Sequence, residues 1–590
     1  MKMNSILITF AVSVLFACSS DDDNMGTVPT DIIAPVVSTT SQLTLNISTD
    51  KALYKPGENI LFSAEGTMPS GARVRYRQGC DVVADEAING SSWTWTAPQT
   101  DYTGYMVDIY TGSGNSETVY GTMGIDVSSD WARFPRYGFV ASFDASKTSD
   151  IIAEEMAQLN RLHINGIQFY DWHYKHQWPL GGTRSELMES YTDIANREVL
   201  TSVVKEYISR QHSYGMKAMF YNLCYGALDD AAQDGVSDKW GVYTNTSHTR
   251  DKLSLPSGWK GDIYLVDPSN REWQQYLADR NDDVYASFDF DGFHIDQVGN
   301  RGTVYDYYGS QLNLPNGFAS FINAMKARHQ DKRLVMNAVS GYGAGKIGST
   351  GNTDFMYTEM WGSESKYSDI HDIIRQNSAY SNGKNSIIAA YMNYGKSSAA
   401  GEFNTPGILL TDAVIFALGG AHLEMGDGHM LCHEYFPNSN LAMSSELQAA
   451  IVRYYDFLTA YQNLLRDGGS ETVAELASGN SSVNISTWPP KLQMVTTYAK
   501  TVGNRQVVHL LNFRQANSLS WRDEHGNMPE PETVTNLPLR MKASGVKKLW
   551  VASPDHIGGA PLELNFRQDG SYINFTLPSL KYWTMIVVEK

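Results

Sequence analysis

The chain has 590 residues, 42% of them hydrophobic and 19% charged. That is a globular composition, and at roughly 100–200 residues per domain it predicts two to four domains. Forty-six basic against 64 acidic residues leave a formal charge of −18, which argues against nucleic acid as a partner, because phosphate binding needs a basic surface. A neutral ligand meets no such barrier. Aromatics reach 12%, with 13 Trp and 34 Tyr, a surplus that suits clefts needing flat apolar faces beside polar groups. Four cysteines (Cys18, Cys80, Cys224 and Cys432) without CxxC spacing form neither a disulfide framework nor a zinc finger.

The N-terminus reads as an address. Residues 1–17, MKMNSILITFAVSVLFA, carry one positive charge and an apolar run too short to span a bilayer. The run ends at Leu15-Phe16-Ala17-Cys18, which resembles a bacterial lipobox with Cys18 as the lipidated first residue of the mature chain. Ser19-Ser20-Asp21-Asp22-Asp23-Asn24 follows, similar to the export signal of surface lipoproteins in the Bacteroidetes group. An outer-membrane lipoprotein, exposed at the cell surface and anchored by this lipid alone, is the expectation; a plain secreted protein with a polar linker is the alternative. Residues 18–40 then read as a tether.

From 41 to 130 short alternating segments such as Leu43/Leu45/Ile47, Ile60–Phe62 and Trp93–Trp95 are punctuated by turns such as Lys55-Pro56-Gly57-Glu58. This predicts an immunoglobulin-like β-sandwich. From 131 to 470 strand and helix patterns alternate. Strand candidates are Tyr137–Phe143, Ile164–Trp172, Lys217–Cys224, Gly292–Val298, Arg333–Val339, Asp354–Trp361, Ser386–Asn393 and Gly419–Gly426, with an extra strand near Asp262–Pro268. Eight strands interleaved with amphipathic helices predict an α/β fold of the (β/α)8 barrel type. From 471 to 590 alternation returns (Gln493–Ala499, Gln506–Phe513, Tyr582–Val588), predicting a C-terminal antiparallel β-sandwich.

In such a barrel the active site lies at the C-terminal strand ends. The fourth strand reads Gly292-Phe293-His294-Ile295-Asp296-Gln297. Period two puts Phe293 and Ile295 on one face and His294 and Asp296 on the other. The apolar face suits the helix-covered outside, so His294 and Asp296 point inward. The sixth strand, Phe355-Met356-Tyr357-Thr358-Glu359-Met360-Trp361, sets Glu359 among aromatics, which raise a carboxyl pKa and suit a general acid. Two carboxylates facing one aromatic cleft are what glycoside hydrolysis needs. Structural roles, a backbone-bonded Asp or an Arg-paired Glu, are the alternatives. Candidate substrate contacts are His294 and, at other strand ends, Tyr170, Asp171 and Trp172, Asn222 and Tyr225, Trp361, Asn393 and Tyr394, and Glu424; Glu424 and Asp427 serve either the cleft or the last loop. Asp289–Gly292 reads as a turn and not a calcium loop. His422, His429 and His433 lack HExxH spacing, so no metal site is expected. Cys224 reads as a packed residue.

The runs Asn165–Trp172, Asp291–Gln297 and Tyr357–Trp361 resemble glycoside hydrolase family 66, and the resemblance extends over both sandwiches and the barrel. The family contains endo-dextranases and cycloisomaltooligosaccharide glucanotransferases, which cleave α-1,6-glucosidic bonds with retention. The resemblance implies Asp296 as nucleophile and Glu359 as acid/base. Cyclising members carry a carbohydrate-binding module inserted in the barrel; the strand-to-strand gaps here are short, which favours hydrolysis. The expectation is therefore a monomeric endo-dextranase acting on dextran and isomaltooligosaccharides without a cofactor. A cyclising transferase or a non-catalytic glucan-binding lipoprotein are the alternatives.

Overall fold

The computed structural model describes residues 25–590; the expected signal, Cys18 and the Asp21–Asp23 run lie outside the described residues. The middle of the chain contains the eight expected strands: β1 (Tyr137–Val140), β2 (Gly166–Phe169), β3 (Lys217–Leu223), β4 (Gly292–Asp296), β5 (Arg333–Met336), β6 (Met356–Glu359), β7 (Ser386–Ala389) and β8 (Ala421–His422). One helix follows each: α1 (Ser149–Arg161), α2 (Thr201–Ser213), α3 (Arg271–Ser287), α4 (Leu314–Arg328), α5 (Ala344–Ser349), α6 (Tyr367–Tyr380), α7 (Thr405–Ala417) and α8 (Ser445–Ala460). The six-residue α5 has too few residues to show an apolar stripe in the sequence.

The strands form two parallel sheets, β5-β4-β3-β2-β1 and β6-β7-β8. Just beyond β5, Asn337 pairs in parallel with Tyr357 of β6. At the other seam the Phe139 N–H of β1 donates to the Met425 carbonyl beyond β8 (3.2 Å). The two faces separate as the alternation predicts. Phe293 stacks on Phe220 of β3 (4.7 Å) and meets Phe321 of α4 edge-on, so this face lies under helices. His294 lies against Tyr137 of β1, Tyr221 of β3 and Tyr357 of β6, at 5.7, 5.9 and 4.9 Å between ring centroids. Rings from four strands meet there because their faces share one interior.

The helices start where capping side chains allow. Thr148 accepts from Ile151 N–H at α1, Asn270 from Glu272 and Trp273 N–H at α3, and Ser444 from Leu447 N–H at α8. On α1, Ile152, Met156 and Leu159 are buried at the spacing that puts them on one face. The extra strand appears as Ile263–Leu265, paired with Gly226–Ala227 and Lys252–Leu253 in a small antiparallel flap beyond β3.

The N-terminal region pairs a three-stranded sheet with a five-stranded one over a core including Ile47, Ile60, Phe62, Val74 and Val107. Asn59–Glu65 alternates strictly between exposed and buried. The C-terminal region likewise sets a seven-stranded sheet against a four-stranded one, with Leu510, Leu539, Phe575 and Ile586 between them. Helix α8 is the common mount. Gly124 of the N-terminal sheet lies so close that a Cβ there would sit 2.3 Å from the Asp456 carbonyl oxygen, and Phe457 packs on Trp583 of the C-terminal sheet (4.6 Å).

The stretch read as a free tether needs correction over its described part. Ile33 N–H donates to Thr576 Oγ1 (2.8 Å), Val36 N–H to the Glu563 carbonyl (3.0 Å), and Thr39–Ser41 adds a parallel strand to the N-terminal sheet. Backbone groups that can pair with exposed sheet edges do so, whatever the side-chain composition suggests. Among the described residues, no helix is long and apolar enough to cross a membrane.

Candidate active site

β4 ends in Asp296. In the β3–β4 register Tyr221 lies opposite His294 and Leu223 opposite Asp296, which puts Tyr221 on the inward face. Its Oη donates to Asp296 Oδ2 (2.6 Å). Asp296 Oδ1 accepts from the Gln297 N–H (2.8 Å) and from Asn337 Nδ2 at the end of β5 (2.9 Å). Burial raises the Asp296 pKa, and these three donors oppose the rise by favouring the ionised form.

Glu359 ends β6. Its Oε2 accepts from the same Asn337 Nδ2 (3.1 Å), while Asn337 Oδ1 accepts from the Glu359 N–H (3.3 Å). Tyr391, beyond β7, donates to Glu359 Oε1. Burial first, and the Asp296 charge second, push Glu359 up to about 7. Burial thus raises both carboxyls against the donors around them, and the Asp296 charge adds to the rise of Glu359. A single amide nitrogen touches both. Its two hydrogens diverge by ~120°, so legs of 2.9 and 3.1 Å set the two oxygens roughly 5 Å apart. That is the ~5–5.5 Å of a pair working by retention, short of the ~6.5–9.5 Å that accommodates a water between them.

Both acids open on a cavity of about 700 Å³. Tyr170, Tyr221, Trp259, Trp361, Tyr391 and Tyr435 supply its aromatic walls; Trp259, carried by the antiparallel flap, approaches Tyr435 to 5.7 Å between ring centroids. Asp171 lies in the left-handed region (φ 48°), which Asp tolerates better than most residues. Burial pushes its carboxyl up to about 8, against the opposing charge of Arg197. Beneath Asp296, burial holds His294 neutral, its pKa down to about 3. Arg522 reaches in from the C-terminal region, donating to the Met360 carbonyl (3.1 Å) with its guanidinium 5.4 Å from the Trp361 ring centroid.

The family model for glycosyl hydrolase family 66 matches residues 49–587. The chain belongs to this family. It is 28% identical to a cycloisomaltooligosaccharide glucanotransferase of Niallia circulans, over 92% of this chain and 72% of that one. It is 25% identical to a dextranase of Streptococcus salivarius, over 83% and 68%. The crystal structure of a Paenibacillus sp. cycloisomaltooligosaccharide glucanotransferase complexed with cycloisomaltoheptaose matches with a TM-score of 0.85 at 27% identity, covering 93% of this chain and 100% of that one.

In this family 66 chain, Asp296, Glu359, Tyr170, Asp171, His294 and Trp361 all line the one cavity. The other expected contacts do not line it. Trp172 is fully buried against Phe220, Phe288 and Phe290 under the helices; the positive φ of Asp171 breaks the alternation there. Asn222 faces away from the interior beside Ile295, and its Nδ2 donates to the His176 carbonyl (2.8 Å). Tyr225 packs against Phe318 and accepts the Val298 N–H (3.0 Å). Asn393 ties β7's loop to the C-terminal region, donating to the Asp523 carbonyl (2.7 Å). Tyr394 stands one layer back, donating to Glu434 (3.0 Å) and stacked on His433 (4.7 Å). Glu424 is buried between β8 and the helices, bonded to Tyr455 (2.9 Å), and Asp427 braces the Ala141 and Ser142 N–H groups.

The site residues chosen from the sequence leave out Tyr221, Asn337, Tyr391 and Arg522, although the first three stand at polar and aromatic strand ends. Carrying the β4 alternation across to its parallel neighbour identifies Tyr221, since residues in register share a face. For Asn337 the signal is its place at the end of the fifth strand; for Arg522 the sequence carries none.

Proposed function

We propose that the chain is a retaining endo-dextranase, hydrolysing internal α-1,6-glucosidic linkages of dextran to isomaltooligosaccharides. The observation that carries the reading is the Asn337 amide held between Asp296 and Glu359. Asp296, ionised among its donors, attacks the anomeric carbon and forms a β-glucosyl ester as the glycosidic C–O bond breaks. Glu359 gives its proton to the departing oxygen. It then takes a proton from water, whose oxygen attacks the anomeric carbon of the ester, breaks its bond to Asp296 and frees the carboxylate. The aromatic walls supply stacking faces for sugar rings, and Asp171 supplies a polar group for a hydroxyl.

The substrate class is supported by the relatives, one named for dextran and the others for cyclic isomaltooligosaccharides. Hydrolysis in preference to cyclisation is supported by length. The alignment to the Niallia circulans transferase runs over 708 positions, more than the 590 of this chain, so that relative carries segments absent here. A cyclising transferase is the second reading, favoured by the slightly higher identity to that relative.

The architecture belongs to the same proposal. We read the eight strands as a closed (β/α)8 barrel flanked by an immunoglobulin-like sandwich and a C-terminal antiparallel sandwich; the contacts at both sheet seams and the shared interior around His294 support this. We also read Cys18 as the lipid-bearing first residue of a monomeric outer-membrane lipoprotein exposed at the cell surface, on the strength of the leader and the acidic run after it.

The test incubates the mature protein with dextran and, separately, with an α-1,4-glucan, following product size over time. Rapid shortening of dextran to linear isomaltooligosaccharides is expected. Cyclic products would move the chain to the transferase reading, and intact dextran would sink the substrate.

A further inference from the structure

Behind β8, on the side turned away from the cavity, three ionisable side chains converge. Asp412 comes from α7, His422 from β8 and Glu424 from just beyond it. One donor atom of each lies within 4.8 Å of the other two, and none of the three residues is more than 1% exposed. His422 Nε2 donates to the Ala390 carbonyl (2.8 Å). Its Nδ1 is therefore the nitrogen turned to the acids, 2.8 Å from Asp412 Oδ1 and 3.3 Å from Glu424 Oε2. Tyr455 donates to Glu424 Oε1 (2.9 Å). Asp412 Oδ2 and Glu424 Oε2 remain buried without a hydrogen-bond partner.

Such a cluster has a charge problem. Two carboxylates in a dry interior need compensation, and among the described residues their ion pairs run only to His422. Either two added protons or one divalent cation makes the group neutral. Three features favour the cation. An imidazole whose other N–H is held by a backbone carbonyl is oriented as metal-ligating histidines are. A tetrahedral ion at ~2.0–2.1 Å from N and O donors sets them roughly 3.3 Å apart, the spacing of His422 Nδ1 and Glu424 Oε2; Asp412 Oδ1, 2.8 Å from the same nitrogen, would have to move outward by about half an ångström. The two oxygens without a hydrogen-bond donor, Asp412 Oδ2 and Glu424 Oε2, are placed to turn toward a cation. We propose that Asp412, His422 and Glu424 bind one divalent transition-metal ion of the zinc type, a structural site that pins β8 to α7. The imidazole in the donor set disfavours calcium and magnesium, which take oxygen ligands. The ligands were not visible as a spacing motif because they come from a helix and a strand that meet only on folding.

The test uses the full mature chain without an affinity tag, equilibrated with zinc chloride, desalted and analysed by elemental mass spectrometry. One zinc per chain is expected, and Glu424→Gln, which keeps the size and the Tyr455 contact, should lose it. A strong chelator should lower the wild-type Tm by several degrees and zinc should restore it, because an ion bound only by the folded chain stabilises it; Glu424→Gln should respond to neither. Less than a tenth of an equivalent in the wild type, with a Tm that zinc does not move, would overturn the proposal and assign two protons to the cluster. A full equivalent retained by both Glu424→Gln and His422→Ala would also overturn it, by placing the ion elsewhere.

Discussion

Two pairs of carboxylates flank the parallel strands. Asp296 and Glu359 face the cavity; Asp412 and Glu424 face the helices. The inner pair is half-buried and the outer pair fully buried, and their surroundings differ in kind. The inner pair is held by neutral donors: the Tyr221 and Tyr391 hydroxyls, the Gln297 N–H and the shared Asn337 amide. The outer pair has an imidazole and one hydroxyl, with two oxygens left over. Neutral donors lower the cost of a buried charge without cancelling it, so the protonation state stays free to change during a reaction. A permanent counter-charge would fix it. The difference separates a pair suited to moving a proton from one suited to holding an ion.

Substitutions can break this contrast in order of severity. Asp296→Asn removes the proposed attacking oxygen and should lower kcat on dextran by on the order of 10⁴-fold or more; a loss under tenfold would remove Asp296 from the nucleophile's role. Glu359→Gln should cost ~10²–10⁴-fold, and azide should restore turnover to Glu359→Ala. The wild-type pH profile follows from the same group: Glu359 must hold its proton to act as acid, so kcat/KM should fall as pH rises through about 7, and Glu359→Gln should lose that limb.

Asn337→Ala sharpens the comparison because it strips one donor from both acids at once. A loss of roughly 10–100-fold in kcat/KM is expected. The Asn337 donor favours both ionised forms, so both limbs of the profile should move to higher pH. Tyr221→Phe should cost about tenfold and move only the acidic limb upward, since Tyr221 bonds Asp296 alone of the two. On the outer side, Tyr455→Phe should leave kcat within about twofold. It should cost ~1–3 kcal/mol in urea unfolding by stripping Glu424 Oε1 of its donor.

The β4 segment shows how far the sequence could be read. Phe293 and Ile295 alternate with His294 and Asp296, and a strand covered by helices on one side must turn its apolar face to them. The same logic applied to β3 would have selected Tyr221 and rejected Asn222, since Tyr221 sits beside His294 in register. It fails at Asp171, where one left-handed residue reverses the pattern and sends Trp172 under the helices. It is silent on Asn337, whose contact with Glu359 spans 22 residues and two strands.

Local chemistry therefore determined the order of strands and helices, the inward position of both proposed catalytic acids and the aromatic character of their surroundings. These follow from periodicity and from the cost of burying charge, which act within a few residues. The tertiary structure alone decided which amide joins the two acids, which loop of the C-terminal region backs Trp361, and that Asp412 meets His422 and Glu424. Those contacts join segments distant in sequence, and no alternation along one strand encodes what a neighbouring element brings to it.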